Sequence, residues 1–398
     1  MKTFEKDHKG ISTILAFALI PLSGFATDIY IPSLPAMAHS LNTTPSKVQL
    51  TLIIFMVSSG IAQLFVGSLL DSFGRYRLGL ISLILFTVAS FSIACTGSIS
   101  IIYLMRALQG ITVALIVVGK RAYFIDLYSG DKLKSYTSLF SIVWAASPII
   151  APFLGGYLES WFGWRSNFWF LGMTTTVILS MEIFYGGESL QIRNPFRIKN
   201  IFKIYCETVK TFDFMLGLIM ISISYAMLVI YGMVSPFIIE HVFHLQPVVT
   251  GYCSLLSGLS LMTGGIISRS LISKPLNRKL FAGIGIQLIL ALLMIVCSCA
   301  YNSLVILVLF TALIHLISGF LFNNLFAYCL GRFPLHGGIV SGITGGGLFI
   351  TTSLISYGTV NVIKIINTTW LGCTFLFFAL LWLTIFLFFL KAVKKQTA

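Results

Sequence analysis

The feature that most constrains this chain is the recurrence of long apolar stretches. Twelve of them fall at 11–33, 46–69, 78–96, 100–119, 136–157, 167–186, 214–238, 249–272, 280–299, 303–328, 338–361 and 367–390. Each is near the roughly 20 residues a helix needs to cross the hydrocarbon core of a bilayer. Together they use most of the 398 residues and leave no segment long enough for a separate soluble domain. Lipid satisfies no backbone polar group, and the stretches are too long for barrel strands, so each is expected to be a helix. Composition agrees: 57% of the residues are hydrophobic and only 10% charged, where a soluble domain carries about 25% charged residues. An ordinary soluble enzyme, a disordered chain and a secreted disulfide scaffold are excluded.

A net charge of +14 invites a nucleic-acid reading, but its distribution answers otherwise. Twelve spans put both termini on one side. Of the 26 Lys and Arg, 22 fall on that side, three (Lys47, Arg165 and Lys364) on the other, and Arg106 inside a span. This positive-inside bias assigns the terminal side to the cytoplasm of an inner membrane. No nucleic-acid partner is expected, because no soluble base-reading surface is offered. Residues 1–26 imitate a secretory signal, with a Lys-containing start, an apolar run and Gly24-Phe25-Ala26. Cleavage there would leave the termini on opposite sides, which the C-terminal lysines oppose, so the segment is retained as span one. The seven cysteines show no metal-ligand spacing and read as packing residues, and no metal or cofactor is expected.

The longest polar stretch, 187–212, is basic and divides the chain. The expected organisation is an N-terminal six-helix bundle over 1–190, a basic cytoplasmic linker over 191–212 and a C-terminal six-helix bundle over 213–398. Segment 196–211 alternates apolar and basic residues and reads as an amphipathic helix on the inner surface. Two-by-six organisation is a transporter layout, with the substrate site expected at midplane between the halves. Sequence similarity between the halves is weak.

Within the spans, ionisable residues carry the chemistry. Arg106, Gln109, Gly110, Val113 and Val117 share one face of span four. An arginine facing lipid there costs at least about 2.5–3.5 kcal/mol, so it must meet a partner or an aqueous cavity. Asp28, towards the outer end of span one, lies at a compatible depth and is its natural partner. Burial and a neighbouring guanidinium act on a carboxyl in opposite senses, so small changes in distance or hydration load and unload a proton. Glu182, near the inner end of span six, reads as a snorkelling interface residue, with a second proton site as the alternative.

Other motifs concern movement and contact. Between spans two and three, Gly67 and Gly74 permit a tight turn, Asp71 sits at a helix end, and Arg75 and Arg77 hold the cytoplasmic side. In span five, Pro148 and Pro152 free backbone carbonyls while Gly155 and Gly156 allow close helix approach, so this span is expected to bend or rock. In span ten, His315, Gly319 and Asn323 form an i, i+4, i+8 stripe that suits either interhelical hydrogen bonding or substrate contact. Ser254, Ser257, Gly258 and Gly265 of span eight read as close packing. Gly345-Gly346-Gly347 lacks the context of a phosphate loop. Gln109, Tyr231, His315 and Asn323 are the candidate substrate contacts, and Phe17, Phe55, Tyr123, Trp144, Tyr225 and Tyr231 are candidate lining of an apolar cavity.

Several strings carry a family resemblance. Gly67 to Arg77 resembles motif A of the major facilitator superfamily, with Ser72 and Tyr76 standing where basic residues are usual. Leu104 to Gly110 resembles motif B of its proton-coupled members, where the arginine is implicated in proton coupling. Thr27-Asp28-Ile29-Tyr30-Ile31-Pro32-Ser33-Leu34-Pro35 resembles the first span of bicyclomycin-resistance (Bcr/CflA) type drug:proton antiporters. Gly119 to Ala122 and Asp126 to Gly130 resemble their signature after span four, with Ile125 in place of an arginine. Ser147 to Gly156 resembles the antiporter motif C, with Ser147 replacing a glycine. Gly163-Trp164-Arg165 with Phe168, and Tyr231 to Phe237, match the same branch.

The resemblance covers the whole chain. It implies an all-α membrane protein with the major facilitator fold, twelve helices in two six-helix bundles, acting as a monomer. It implies proton-coupled export of amphipathic small molecules or drugs by alternating access. Asp28 and Arg106 would couple protons. Gly67, Asp71, Gly74, Arg75 and Arg77 would gate, and Pro148, Pro152, Gly155 and Gly156 would form the antiporter motif. A dedicated siderophore or metabolite transporter is the alternative on the same scaffold, and a non-transporting membrane sensor the alternative of a different class. No nucleophile–base or metal constellation points to an enzyme.

Overall fold

A computed structural model of the chain describes residues 8–190, 205, 207–333 and 337–397, with the side chains of all of these except 138, 141, 142, 144, 145, 337–339 and 394–397. Most of the linker expected at 191–212, and most of the amphipathic segment at 196–211, lies outside the described residues. The chain forms two compact units, Met1–Asn200 and Ile201–Ala398.

The first unit contains α1 (Lys9–Leu19), α2 (Leu22–Asp28), a 3-10 turn (Ile31–Ser33), α3 (Leu34–Ser40), α4 (Pro45–Phe73), α5 (Arg75–Cys95), α6 (Ile99–Leu127), α7 (Gly130–Phe162) and α8 (Arg165–Tyr185). The second contains α9 (Phe212–His241), α10 (Pro247–Ser270), α11 (Leu276–Ala300), α12 (Leu304–Gly331), α13 (Gly337–Val362) and α14 (Thr368–Thr397). Among the described residues, ten spans are long and apolar enough to cross a membrane, the first of them Lys9–Ser40. Helices α7 and α13 complete the twelve.

Span one departs from the single helix expected over 11–33. Its prolines break it: Pro21 precedes α2, Pro32 sits in the 3-10 turn, and Pro35 opens α3. Proline removes a backbone donor and clashes with the preceding turn, so carbonyls near each break are left for other partners. Elsewhere the helices overrun the apolar stretches. Span four, expected at 100–119, continues to Leu127, and span five, expected at 136–157, runs from Gly130 to Phe162. The apolar run marks the hydrocarbon core, and the helix persists into the headgroup layer beyond it. Lys120 and Arg121 are therefore helical residues and not loop residues. The expected loop of motif A is likewise almost all helix: only Gly74, at φ +94°, separates α4 from α5. Positive φ favours glycine, which has no Cβ to clash.

Each unit has the same internal plan. In the first, α4 packs on α6, and α5 packs on α6 and α8. In the second, α10 packs on α12, and α11 packs on α12 and α14. Counted by spans, two meets four and three meets four and six; eight meets ten and nine meets ten and twelve. The weak similarity of the two halves in sequence hides this repeat.

Candidate functional site

Arg106 lies on α6 with no exposed surface, as do Gln109 and Val113 on the same face. Burying a guanidinium in a bilayer requires hydrogen-bonded partners. Its Nη1 donates to the Ala26 carbonyl at 3.0 Å and to Gln109 Oε1 at 2.8 Å, and its Nε donates to the Thr51 carbonyl at 3.3 Å. Ala26 is in the last turn of α2, where carbonyls lack intrahelical partners. The break in span one thus supplies an acceptor, and the positive guanidinium meets the negative end of a helix. The guanidinium also stacks over Tyr30 at 4.8 Å and Phe55 at 4.3 Å. Gln109 passes the network on to Ser90 at 2.8 Å, and Tyr30 shares a 2.9 Å hydrogen bond with Thr51.

Asp28 ends α2 and is partly buried. It interacts electrostatically with Arg106, but among the described residues the two form no ion pair within 4.0 Å. They are neighbours, not a closed pair.

Motif C holds the broken span. Ser147 Oγ donates to the Pro21 carbonyl at 2.9 Å, and a Cβ at Gly24 would lie 2.7 Å from Ser147 Cβ. A Cβ at Gly155 would strike the Ile29 carbonyl, the residue after Asp28. Pro148 and Pro152 lie inside α7, which the structure traces as one helix through both. Asn167 of α8 donates to Ser33 Oγ at 2.8 Å and secures the turn from the other side.

Where α4 meets α5 in the first unit, Arg75 bonds Asp71 at 3.0 Å and pairs with Asp126. Glu188, just beyond α8, caps the start of α5: Oε1 accepts from the Arg75 amide at 3.1 Å and Oε2 from the Tyr76 amide at 3.2 Å. Ser189 donates to Asp126 at 2.8 Å. The Tyr76 hydroxyl donates to the Glu182 carbonyl at 3.0 Å, so the residue that replaces a basic one ties α5 to α8. Glu182 does not snorkel as expected. It is 2% exposed and pairs with Lys120 at 2.5 Å. Span four was expected to end at 119, just before Lys120, and the helix in fact continues through it to Leu127.

In the second unit, the span-ten stripe faces α10. His315 Nδ1 shares a 2.6 Å hydrogen bond with Ser257, a Cβ at Gly319 would strike the Leu261 carbonyl, and Asn323 donates to the Gly265 carbonyl and to Ser268 Oγ, both at 3.2 Å. Gly264, and not the expected Gly265, makes the close approach on α10, against the Leu316 carbonyl. Tyr231 packs on His315 with ring centroids 5.2 Å apart. At the start of α9, Asp213 pairs with Arg332 at 2.8 Å and accepts from the Tyr328 hydroxyl at 2.7 Å.

The Major Facilitator Superfamily description matches residues 16–356. The chain belongs to the major facilitator superfamily. Among its relatives, an uncharacterized MFS-type transporter, YdgK, of Bacillus subtilis is 28% identical over 66% of this chain and 66% of its own length. A bicyclomycin resistance protein homolog of Haemophilus influenzae is 30% identical over 48% of each chain. The aligned parts thus span two thirds of the first relative and about half of the second. The crystal structure of a D-xylose-proton symporter superposes with a TM-score of 0.70 at 14% identity, covering 93% of this chain and 96% of that one, which shows the shared fold.

As a member of this superfamily, the protein is a multi-pass membrane protein, and its sequence candidates fall in several places. Asp28, Arg106 and Gln109 share one buried network, and Phe55 joins it. Tyr231 and His315 share another, in the other unit. Asn323 belongs to the α10–α12 contact. Phe17 and Tyr123 belong to an aromatic cluster around Phe124, Tyr225 packs on Phe322, and the side chain of Trp144 lies outside those described. Gly67 has open space around it, and Arg77, in the first turn of α5, is exposed. Sequence reasoning missed Thr51, Glu188 and Lys120. The first acts through its carbonyl and the second on backbone amides, which leave no side-chain pattern.

Proposed function

We propose that this transporter exports amphipathic small molecules in exchange for protons across an inner membrane, by alternating access, as a monomer with both termini in the cytoplasm. The observation that carries the reading is the relation of Arg106 to Asp28. A fully buried guanidinium stands beside a carboxylate that feels its charge but does not bond it. Such a loose couple answers to a single proton. A proton arriving from outside neutralises Asp28 and removes its attraction to Arg106, which favours the inward-facing state. Proton release and substrate binding then reset the cycle. Contact of motif C with the Asp28 segment, and a relative named for bicyclomycin resistance, support export of drug-like molecules.

Reconstitution in liposomes with an imposed pH gradient tests this. Uphill movement of bicyclomycin should be abolished by Asp28→Asn, while downhill exchange persists. Normal gradient-driven efflux by that variant would overturn the assignment. Competition among unrelated compounds separates a broad exporter from one dedicated to a siderophore or another metabolite.

A further inference from the structure

The two units turn the same corner with a different balance of charge. Each joins its second span to its third there: α4 to α5 at Gly74 in the first unit, and α10 to α11 through 271–275 in the second. In the first, Arg75 is matched by Asp71 at 3.0 Å and by Asp126. In the second, Arg269 lies in the last turn of α10, Lys274 in the connection, and Arg278 and Lys279 in the first turn of α11. None of these four makes an ion pair or a side-chain hydrogen bond among the described residues.

The chain does little to neutralise them. Beyond Glu240 it contains nine Lys and Arg but no Asp or Glu. Of the acids earlier in the second unit, Asp213 is held by Arg332 at 2.8 Å. Glu240 stands at the far end of α9, a 30-residue helix about 45 Å long. Glu207 forms no ion pair among the described residues. A further cation, Lys391 near the end of α14, belongs to the same end of the unit, and α14 packs on α11. A positive-inside bias accounts for the sign of this charge, but paired cations would satisfy it equally.

The surroundings are apolar. Arg269, Lys274 and Arg278 are exposed, and so beside them are Ile266, Ile272 and Phe281, at 59%, 79% and 65%. The corner lies where two spans leave the hydrocarbon. Acyl chains therefore cover the apolar side chains, while the cations reach the headgroup layer. Clusters of four or more Lys and Arg beside a span attract anionic headgroups. Charge at the level of the phosphates with apolar surface next to it suits a phospholipid, whereas a soluble anion would meet the cations alone.

We propose that the corner at 269–279 binds the headgroup of an anionic phospholipid of the surrounding leaflet, with its phosphate shared among Arg269, Lys274, Arg278 and Lys279. The lipid does for the second unit what Asp71 and Asp126 do for the first. The inference depends on neither the transported molecule nor the proton; it needs only that α10 and α11 cross the bilayer.

Thermal unfolding of the purified full-length protein in detergent tests it, because a ligand that binds the folded state raises the unfolding temperature. Three probes are titrated: short-chain phosphatidylglycerol, phosphatidylcholine of the same chain length, and inorganic phosphate. Phosphatidylglycerol should stabilise the wild type, and the other two should not. Its apparent affinity should fall about fivefold in Arg278→Gln and again about fivefold when Lys279→Gln is added, the equivalent of about 1 kcal/mol for each cation near an anionic surface. Arg278→Lys should keep most of the affinity. Lys364→Gln removes the same charge between α13 and α14, at the other end of the unit, and should leave binding unchanged. Equal stabilisation by phosphatidylcholine would overturn the proposal, since charge would then play no part. Equal stabilisation by phosphate would also overturn it, and would mark a site for a soluble anion. An equal loss in Lys364→Gln would mean that net charge and not this corner holds the lipid.

Discussion

The backbone carbonyl of Ile29 occupies the space in which a side chain at Gly155 would begin. Motif C and the Asp28 segment, 127 positions apart in the chain if counted from 28 to 155, are therefore one packed assembly. Helix α7 cannot shift along span one without disturbing the residue next to the carboxylate.

Gly155→Ala should accordingly do more than perturb a helix contact. Its methyl group must displace the Ile29 carbonyl, and overpacking of this kind costs about 1–3 kcal/mol. We expect a lower unfolding temperature together with a loss of transport larger than that of Gly67→Ala, where a Cβ meets open space. Parallel thermal unfolding and initial transport rates check this.

Arg106→Lys retains the charge and loses the fork. A lysine ammonium cannot reach the Ala26 and Thr51 carbonyls and Gln109 in the same planar arrangement. Transport by this variant should fall at least about tenfold, the rate equivalent of about 1.4 kcal/mol. Retention of wild-type rates would show that only the charge matters.

The Lys120–Glu182 pair should behave as a buried ion pair. Lys120→Met or Glu182→Met alone leaves the other charge uncompensated and should destabilise the protein by about 3 kcal/mol, whereas the two together should recover most of the loss. A thermal double-mutant cycle measures the coupling. Additive single effects would mean that the two side chains do not pair.

Glu188→Ala removes the acceptors of the Arg75 and Tyr76 amides. Hydrogen exchange at these two amides should quicken about tenfold relative to wild type, as one charge-assisted hydrogen bond is lost from each. Unchanged exchange there would mean that the start of α5 does not depend on this cap.

Much of this was legible in the sequence for a plain physical reason. Apolar length predicts spans, and an arginine inside one of them demands a buried face, which is where Arg106, Gln109 and Val113 lie. Helix ends were less legible, because hydropathy stops at the edge of the hydrocarbon while hydrogen bonding continues to Leu127. That difference accounts for Glu182, whose partner Lys120 lies just past the apolar stretch of span four. The repeat escaped notice because its members changed chemistry while holding their spacing: Arg106 against His315, and Gln109 against Ser318. A comparison of residue identities between the halves finds little there, whereas a comparison of backbone approach finds Gly110 against the Phe55 carbonyl and Gly319 against the Leu261 carbonyl.

The corner between α4 and α5 consists of Gly74 alone. A joint one residue wide has no slack to absorb rotation. Any roll of α4 about its axis is handed directly to α5, and through Glu188 and Tyr76 to the chain leaving α8. A change in the angle between the two helices must therefore be taken up at the φ and ψ of one glycine.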